Sequence, residues 1–410
     1  MLKYIKNYWR NSYYRFMLVY FLLVTSFLSF YYDQTALNLV PRVAGIFSVV
    51  CYCLLSTKGR TFFGKYIFCL LIFFIFEMFV SSLRYSDDII DMILFNSGFF
   101  SLLAYFILIK IDYHFFLKGF CSFISLGLSL MMIQYVIYLY TGKILFFDFA
   151  DLPKRMDSLR IFYLGGLSPI VFIISSIKVI GSVFLHKKIE KIYLFSSLIT
   201  FIDIVYILMT RSLIILCFVV LFLILIFVYR KSSLILKLFF VLLVLYFLGF
   251  NQLINQYVNF NADASNNSMV ERNMEISYYL SETITKHILL GFGYVRGNIV
   301  DTKGIIEGPY GTFYREDVGL VGFFHTYGLV GMIFIFYMFF KILRIIYINR
   351  KVLSQYTVPL GVFLLFVAEE LTVIDNFYYS GISNIPIILV LIENGFKIRK
   401  NENNYSNIRK

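Results

Sequence analysis

Residues 213–229 read LIILCFVVLFLILIFVY, a run without a charge that starts just after Thr210-Arg211-Ser212. Wound as a helix at about 1.5 Å per residue, it spans roughly 25 Å, close to the hydrocarbon core of a bilayer. It is apolar on every side, so no face is reserved for water. An open sheet could not satisfy its backbone in lipid, which leaves a helix. Working outward, similar runs lie near residues 14–31, 39–56, 66–83, 89–109, 115–139, 161–179, 192–209, 234–250, 319–340, 356–371 and 381–394. The reading is an all-α polytopic membrane bundle of about twelve transmembrane helices.

Composition agrees. Of 410 residues 60% are hydrophobic and only 15% charged, and Phe occurs 48 times. Soluble domains carry about 25% charged residues, so a soluble multi-domain enzyme is excluded, as is a disordered chain. The net charge of +13 calls for no nucleic acid, because Lys and Arg collect on the cytoplasmic loops of membrane proteins. Cys51, Cys53, Cys69, Cys121 and Cys217 all fall inside apolar runs and read as small core residues. The first apolar run is long enough to span and shows no small-residue cleavage site.

With the N-terminus inside, 25 of the 37 basic residues fall on inner segments. Seven fall on short outer loops: Arg42, Arg84, Lys143, Lys154, Arg155, Arg160 and Arg211. That bias places both termini in the cytoplasm. The chain then divides into residues 1–250, nine spans with a smaller outer loop near 141–160; a large outer loop over 251–318; and residues 319–410, three spans and a basic tail. In the large loop, Ser268-x-x-Glu271 reads as a capping box opening a helix that ends near Leu290 and Gly291. Met274, Tyr278 and Ile284 give that helix an apolar side, while Arg272, Glu275, Tyr279 and Glu282 share another.

No metal signature is present, neither His-Glu-x-x-His nor an outer Cys cluster, and no cofactor is called for. The outer face carries Arg155, Arg160, Arg211, Arg272, Arg296 and Arg315. A guanidinium binds phosphate through a planar fork and keeps its charge. Outside the cell there is no ATP, and a phosphate available there is the pyrophosphate of a polyprenyl-linked sugar. The plainer reading is that loop arginines are solvated or paired with neighbouring carboxylates, and it holds for Lys143, Lys154 and Lys303. Arg211 lies where two spans meet with almost no loop, so it faces a cavity or snorkels to headgroups. Glu77, Asp203, Glu369 and Glu370 fall within spans and need partners, as a proton-coupled transporter would also require. His325 is a lone histidine within its span, where a hydrogen bond to a neighbouring helix is the plainer role.

Taken together, Leu-Met-Thr-Arg-Ser-Leu over 208–213, the Arg-bearing loop helix ending in Leu289-Leu290-Gly291-Phe-Gly293, and Glu316-Asp-Val-Gly-Leu-Val-Gly-Phe-Phe-His325-Thr-Tyr-Gly-Leu-Val-Gly331 form a pattern. It resembles the Wzy-type O-antigen and capsular repeat-unit polymerases, in the superfamily that includes the O-antigen ligases. The specific part covers about residues 205–215 and 268–331. The resemblance implies a type C glycosyltransferase architecture in the bacterial cytoplasmic membrane. It implies an undecaprenyl-pyrophosphate-linked oligosaccharide as substrate, with a flippase and a chain-length regulator as partners. By position, Arg211 and Arg272 match arginines that hold the pyrophosphate. Arg155 and Arg160 occupy the smaller loop before Leu164-Gly-Gly-Leu-Ser-Pro169, and Arg315 joins the pyrophosphate set. Ligases place a His eleven and fourteen residues ahead of the two glycines of Gly-x-x-Gly. Here those glycines are Gly328 and Gly331, and both counts end on Asp317. The departure favours polymerase over ligase and offers Asp317, or Glu316, as the base. Tyr278, Tyr279 and Tyr314 are the candidate sugar-stacking surface. Ligase and flippase, or another transporter, are the alternatives; the long loop and the lack of two similar halves weigh against a flippase.

Overall fold

The computed structural model describes residues 12, 16–21, 48, 61–142, 154–155, 158–159, 166–208, 211–228, 264–295, 300–349, 356–372, 377 and 381–407. The expected spans near 14–31, 39–56 and 234–250 lie wholly or largely outside them.

Within these residues the chain is helical apart from one two-residue antiparallel pair, β1 (Lys154–Arg155) with β2 (Ser158–Leu159). The helices are α1 (Gly64–Tyr85), α2 (Ile89–Phe95), α3 (Tyr105–Leu108), α4 (Tyr113–Thr141), α5 (Leu167–Phe184) and α6 (Lys191–Ile202). They continue with α7 (Arg211–Val228), α8 (Ala264–Lys286), α9 (Val300–Glu307), α10 (Leu320–Ile348), α11 (Thr357–Thr372) and α12 (Asn384–Asn407). Five segments are long and apolar enough to cross a membrane: Gly64–Tyr85, Tyr113–Thr141, Leu167–Phe184, Lys191–Leu208 and Leu320–Ile348. Their outer faces carry Phe68, Ile72, Phe79, Ile133 and Phe336 in the open, which suits a hydrocarbon solvent rather than water.

The centre of the bundle is the first half of α12, where Ile385, Ile387, Ile388, Leu389, Val390, Leu391 and Ile392 are all buried. Helix α11 packs against it and also against α5, α7 and α10. Local chemistry sets the ends. Asp112 accepts from the Phe115 N–H at 3.0 Å to open α4, and Gly142 closes it in the left-handed conformation. Helix α1 has no cap of its own. Glu393 of α12 supplies one from a distance, accepting from the Phe62 N–H at 2.8 Å, the Phe63 N–H at 3.4 Å and the Tyr105 hydroxyl. Ser125 of α4 and Ser196 of α6 share a hydrogen bond of 2.8 Å across their contact, the kind of polar tie that joins helices in lipid.

Three sequence expectations differ from the structure. The run over 89–109 is not one helix: α2 ends near Asn96, whose side chain turns back onto the Met92 carbonyl. A 3-10 segment (Ser97–Ala104) then leads into α3. Asn96-Ser-Gly98 supplies the weak helix formers that permit the break. Secondly, α8 opens at Ala264 rather than at Ser268, so Ser268 sits inside the helix and does not cap it. It ends at Lys286, and one further turn carries the chain to Gly291 in the left-handed region. Thirdly, α8 is turned around. Glu275, Tyr279 and Thr283 are its buried stripe, while Val270, Met274 and Ile284 are exposed.

Candidate functional site

Helix α10 is broken. Gly328 has φ 61° and ψ −159°, far from helical values. The carbonyls and amides freed by such a break must be satisfied within the protein, since lipid offers no partner. The segment after α8 does this. Phe292 N–H donates to the His325 carbonyl at 2.8 Å and Gly293 N–H to the Thr326 carbonyl at 2.7 Å. In return the Leu329 and Val330 amides donate to the carbonyls of Ile288 and Leu289, at 2.9 and 3.1 Å. The Gly291-Phe-Gly293 motif follows from this close approach. Both glycines have positive φ. A Cβ on Gly291 would stand 2.6 Å from the His325 carbonyl oxygen.

The other side of the same segment faces the end of α1. Ser81 Oγ accepts from the Tyr294 N–H at 2.9 Å. Arg84 Nη1 donates to the Gly291 carbonyl at 2.7 Å, and the Tyr85 hydroxyl donates to the Phe292 carbonyl at 2.7 Å. Arg315, from a 3-10 turn (Arg315–Val318) between α9 and α10, reaches the Gly293 carbonyl with Nη1 at 3.5 Å. Two guanidiniums thus converge on one glycine loop from different parts of the chain.

The loop is enclosed by groups whose chemistry is unspent. Arg315 is only 5% exposed, and its Nε has no hydrogen-bond partner among the described residues. His325 is fully buried. Its ring stacks on Phe292, centroids 4.5 Å apart and planes 18° apart, and lies 4.7 Å from the Tyr279 ring. Neither ring nitrogen of His325 has a hydrogen-bond partner among the described residues. His287 sits edge-on to Phe292. Its pKa is lowered by partial burial and by the nearby charges of Arg84 and Lys286. Beneath the loop, Glu77 is buried with neither carboxylate oxygen hydrogen-bonded among the described residues. Unmatched buried polar groups cost about 1–3 kcal/mol each, so several around one loop make it the candidate site.

A second group stands on the buried stripe of α8. The Tyr314 N–H donates to the Glu275 carboxylate. Glu275 is 4% exposed, and its Oε2 has no partner among the described residues. Burial pushes its carboxyl up to about 7. The Tyr314 amide opposes that rise, the charges of Asp317 and Glu271 add to it, and Arg272 opposes it.

The residues expected from sequence fall as follows. Arg315 joins the loop cluster, and Asp317 is exposed on the same turn. Arg272 is half-buried and close enough to Glu275 to act on its charge. Tyr314 is 56% exposed. Tyr279 is fully buried, its hydroxyl donating to the Ile306 carbonyl at 2.6 Å, so no ring face is open for stacking. Tyr278 is partly buried against Phe313 and donates to the Gly304 carbonyl at 3.1 Å. Arg211 begins α7 and Arg155 lies in β1, and Glu316 lies in the 3-10 turn; the side chains of all three lie outside the described residues. Arg160 and Arg296 lie outside them altogether. Arg84 and Glu275 are the functional candidates that sequence reasoning passed over. The signal for Glu275 was its spacing, three residues after Arg272 and four before Tyr279. Arg84 carried no signal beyond its place at the end of a span.

Among the described residues no group of three or more His, Cys, Asp or Glu is gathered as metal ligands. The cluster can bind an anion through fixed guanidiniums and can move a proton through a carboxylate. A scan against protein-family models and a search of curated proteins find no match to this chain.

Proposed function

We propose that the protein polymerises undecaprenyl-pyrophosphate-linked oligosaccharide repeat units into a surface polysaccharide, O-antigen or capsule. On this reading it is a glycosyltransferase using a lipid-pyrophosphate donor, with about twelve spans, set in a bacterial cytoplasmic membrane with both termini inside. The observation that carries the reading is the pair Arg84 and Arg315 on the Gly291-Phe-Gly293 loop, with the Arg315 Nε buried and unmatched. Fixed guanidiniums in a water-poor site are the means of stabilising charge on a departing pyrophosphate. The exposed Tyr314 and Asp317 on the same turn give a sugar a surface and polar contacts beside that cradle.

The reaction joins two lipid-linked chains. A hydroxyl at the non-reducing end of one attacks the anomeric carbon at the reducing end of the other. A C–O bond forms there as the bond to pyrophosphate breaks, and undecaprenyl pyrophosphate leaves with the electron pair. Arg315 and Arg84 hold the phosphates, with Arg272 and Arg211 as further candidates. A carboxylate on α8 or the 3-10 turn takes the hydroxyl proton.

The test is deletion of the gene, followed by gels of the surface polysaccharide and of the lipid-linked pool. Loss of long chains, with single repeats still reaching the final carrier, supports the polymerase. Long chains that persist on undecaprenyl and never reach the carrier make it a ligase. An unchanged pattern favours the transporter reading, for which Asp203 is the relevant observation. It is buried in the π segment (Asp203–Leu208), with the Ser168 hydroxyl beside its carboxylate. Complementation with Arg315→Ala should fail to restore long chains while the protein accumulates in the membrane.

A further inference from the structure

We infer that Glu275, rather than Asp317, takes the proton from the attacking sugar hydroxyl. The inference rests on the polymerase reading and names a residue that the sequence pattern did not. Three observations carry it. Glu275 lies on the inward stripe of α8 with Tyr279 and Thr283, while Val270, Met274 and Ile284 of the same helix are exposed, so the fold buries a carboxylate beside the Tyr279–Phe313–Val318 cluster. The Tyr314 N–H fixes the carboxylate, yet Oε2 keeps an unused lone pair and has no partner among the described residues. Tyr314 also begins the turn that presents Arg315, so proton acceptor and anion cradle are tied to one short piece of backbone.

Asp317 has the opposite character. It is exposed on the 3-10 turn, off the buried stripe of α8 that holds Glu275. Its charge acts on Glu275 instead, as does that of Glu271, with Arg272 opposing both. From α10 the nearby titratable group is His325, which packs on Tyr279 one helical turn further along α8. In the step itself, the hydroxyl oxygen bonds to the anomeric carbon and its proton passes to Glu275 Oε2. The electron pair of the broken bond departs with the pyrophosphate, which Arg315 faces. A base near 7 suits the task, because it is largely free to accept at working pH and still strong enough to do so.

A merely structural Glu275 would accept the Tyr314 amide, and Gln would do the same through its carbonyl oxygen. Glu275→Gln therefore separates the roles. Wild type, Glu275→Gln, Glu275→Asp and Asp317→Asn are reconstituted in lipid nanodiscs. Each receives the lipid-linked oligosaccharide fraction extracted from cells lacking the gene. Chain length and released polyprenyl pyrophosphate are followed from pH 5 to 9. Expected for wild type is a rate that rises with pH and levels above about 7. Glu275→Gln should lose about 10²-fold or more and lose that inflection, while melting no lower than wild type. Glu275→Asp should recover part of the rate, and Asp317→Asn should keep a measurable rate with its inflection moved to lower pH. If Glu275→Gln keeps both rate and inflection, or if Asp317→Asn alone abolishes them, the inference is overturned. A wild type inactive on this fraction overturns the polymerase reading, and the inference with it.

Discussion

Gly328→Ala tests whether the broken helix is held by the loop that docks on it. At φ 61° and ψ −159° the backbone lies in a region used almost only by glycine, and a side chain there costs about 1–3 kcal/mol. Space is lacking as well. A Cβ at 328 would stand 2.5 Å from the backbone nitrogen of Gly291 and 2.5 Å from the Leu289 carbonyl carbon. Those are main-chain atoms and cannot rotate away. Relief requires the loop to withdraw, which breaks the Leu329 to Ile288 and Val330 to Leu289 hydrogen bonds. Each bond is worth about 1 kcal/mol net, and more where the freed group stays dry. The docked state should therefore lose about 3–5 kcal/mol, or roughly 10²- to 5 × 10³-fold in its population relative to the undocked state. Amide hydrogen exchange in nanodiscs reads this directly. Phe292, Gly293, Leu329 and Val330 should exchange faster by that factor, and under the proposed polymerase function chain growth should fall with them. Gly304→Ala is the matched control. It lies in α9 with nothing within 4 Å of a new Cβ and no positive φ, so it should be neutral or stabilising by up to about 1 kcal/mol. Wild-type exchange at those four amides in Gly328→Ala would refute the reasoning.

Two further outcomes follow from particular contacts. Glu393→Ala removes the acceptor for the Phe62 and Phe63 amides and the buried Tyr105 hydroxyl. It should destabilise the protein by about 3 kcal/mol, seen as a lower melting temperature, and an unchanged melt would count against this remote cap of α1. The Glu275 carboxyl sits at about 7 in the fold, against 4.5 as its ordinary value, so folding favours its protonated form. The stabilisation is complete below about pH 4.5 and is lost as pH rises through 7. The melting difference between Glu275→Gln and wild type should therefore grow in favour of the variant across that window, and a difference independent of pH would contradict it.

The helical character of the chain was legible because lipid demands it. A run such as residues 213–229 has no alternative that satisfies its backbone. The interior details were less so, each for a physical reason. Asn96-Ser-Gly98 breaks the run over 89–109, yet hydropathy sums do not see a change of helix type. Periodicity only partly placed α8, because its inner side mixes an apolar cluster of Tyr279, Phe313 and Val318 with polar groups, while Val270, Met274 and Ile284 are left exposed. Here the inward neighbours are the Tyr314 amide, Phe313 and His325, and a stripe of Glu275, Tyr279 and Thr283 meets them. Arg315 was found because arginine chemistry was sought in the loop. Arg84 was missed because its partner, the Gly291 carbonyl, lies more than two hundred residues away.

The glycine pattern that first suggested a family has a structural explanation of its own. Gly291 and Gly293 let one backbone approach another, Gly322 lies under the Arg315 carbonyl, and Gly328 makes the break. None of these glycines supplies a reacting group, so the short motif marks a scaffold. The charged groups lie beside it, in side chains contributed by α1, α8 and the 3-10 turn. The decisive comparison is therefore between variants of the two kinds. Gly291 and Gly328 should lose docking and activity together, whereas Arg315 and Glu275 should lose activity with the loop still docked. If charge variants also released the loop, the cluster would be a clamp and the catalytic reading would fall.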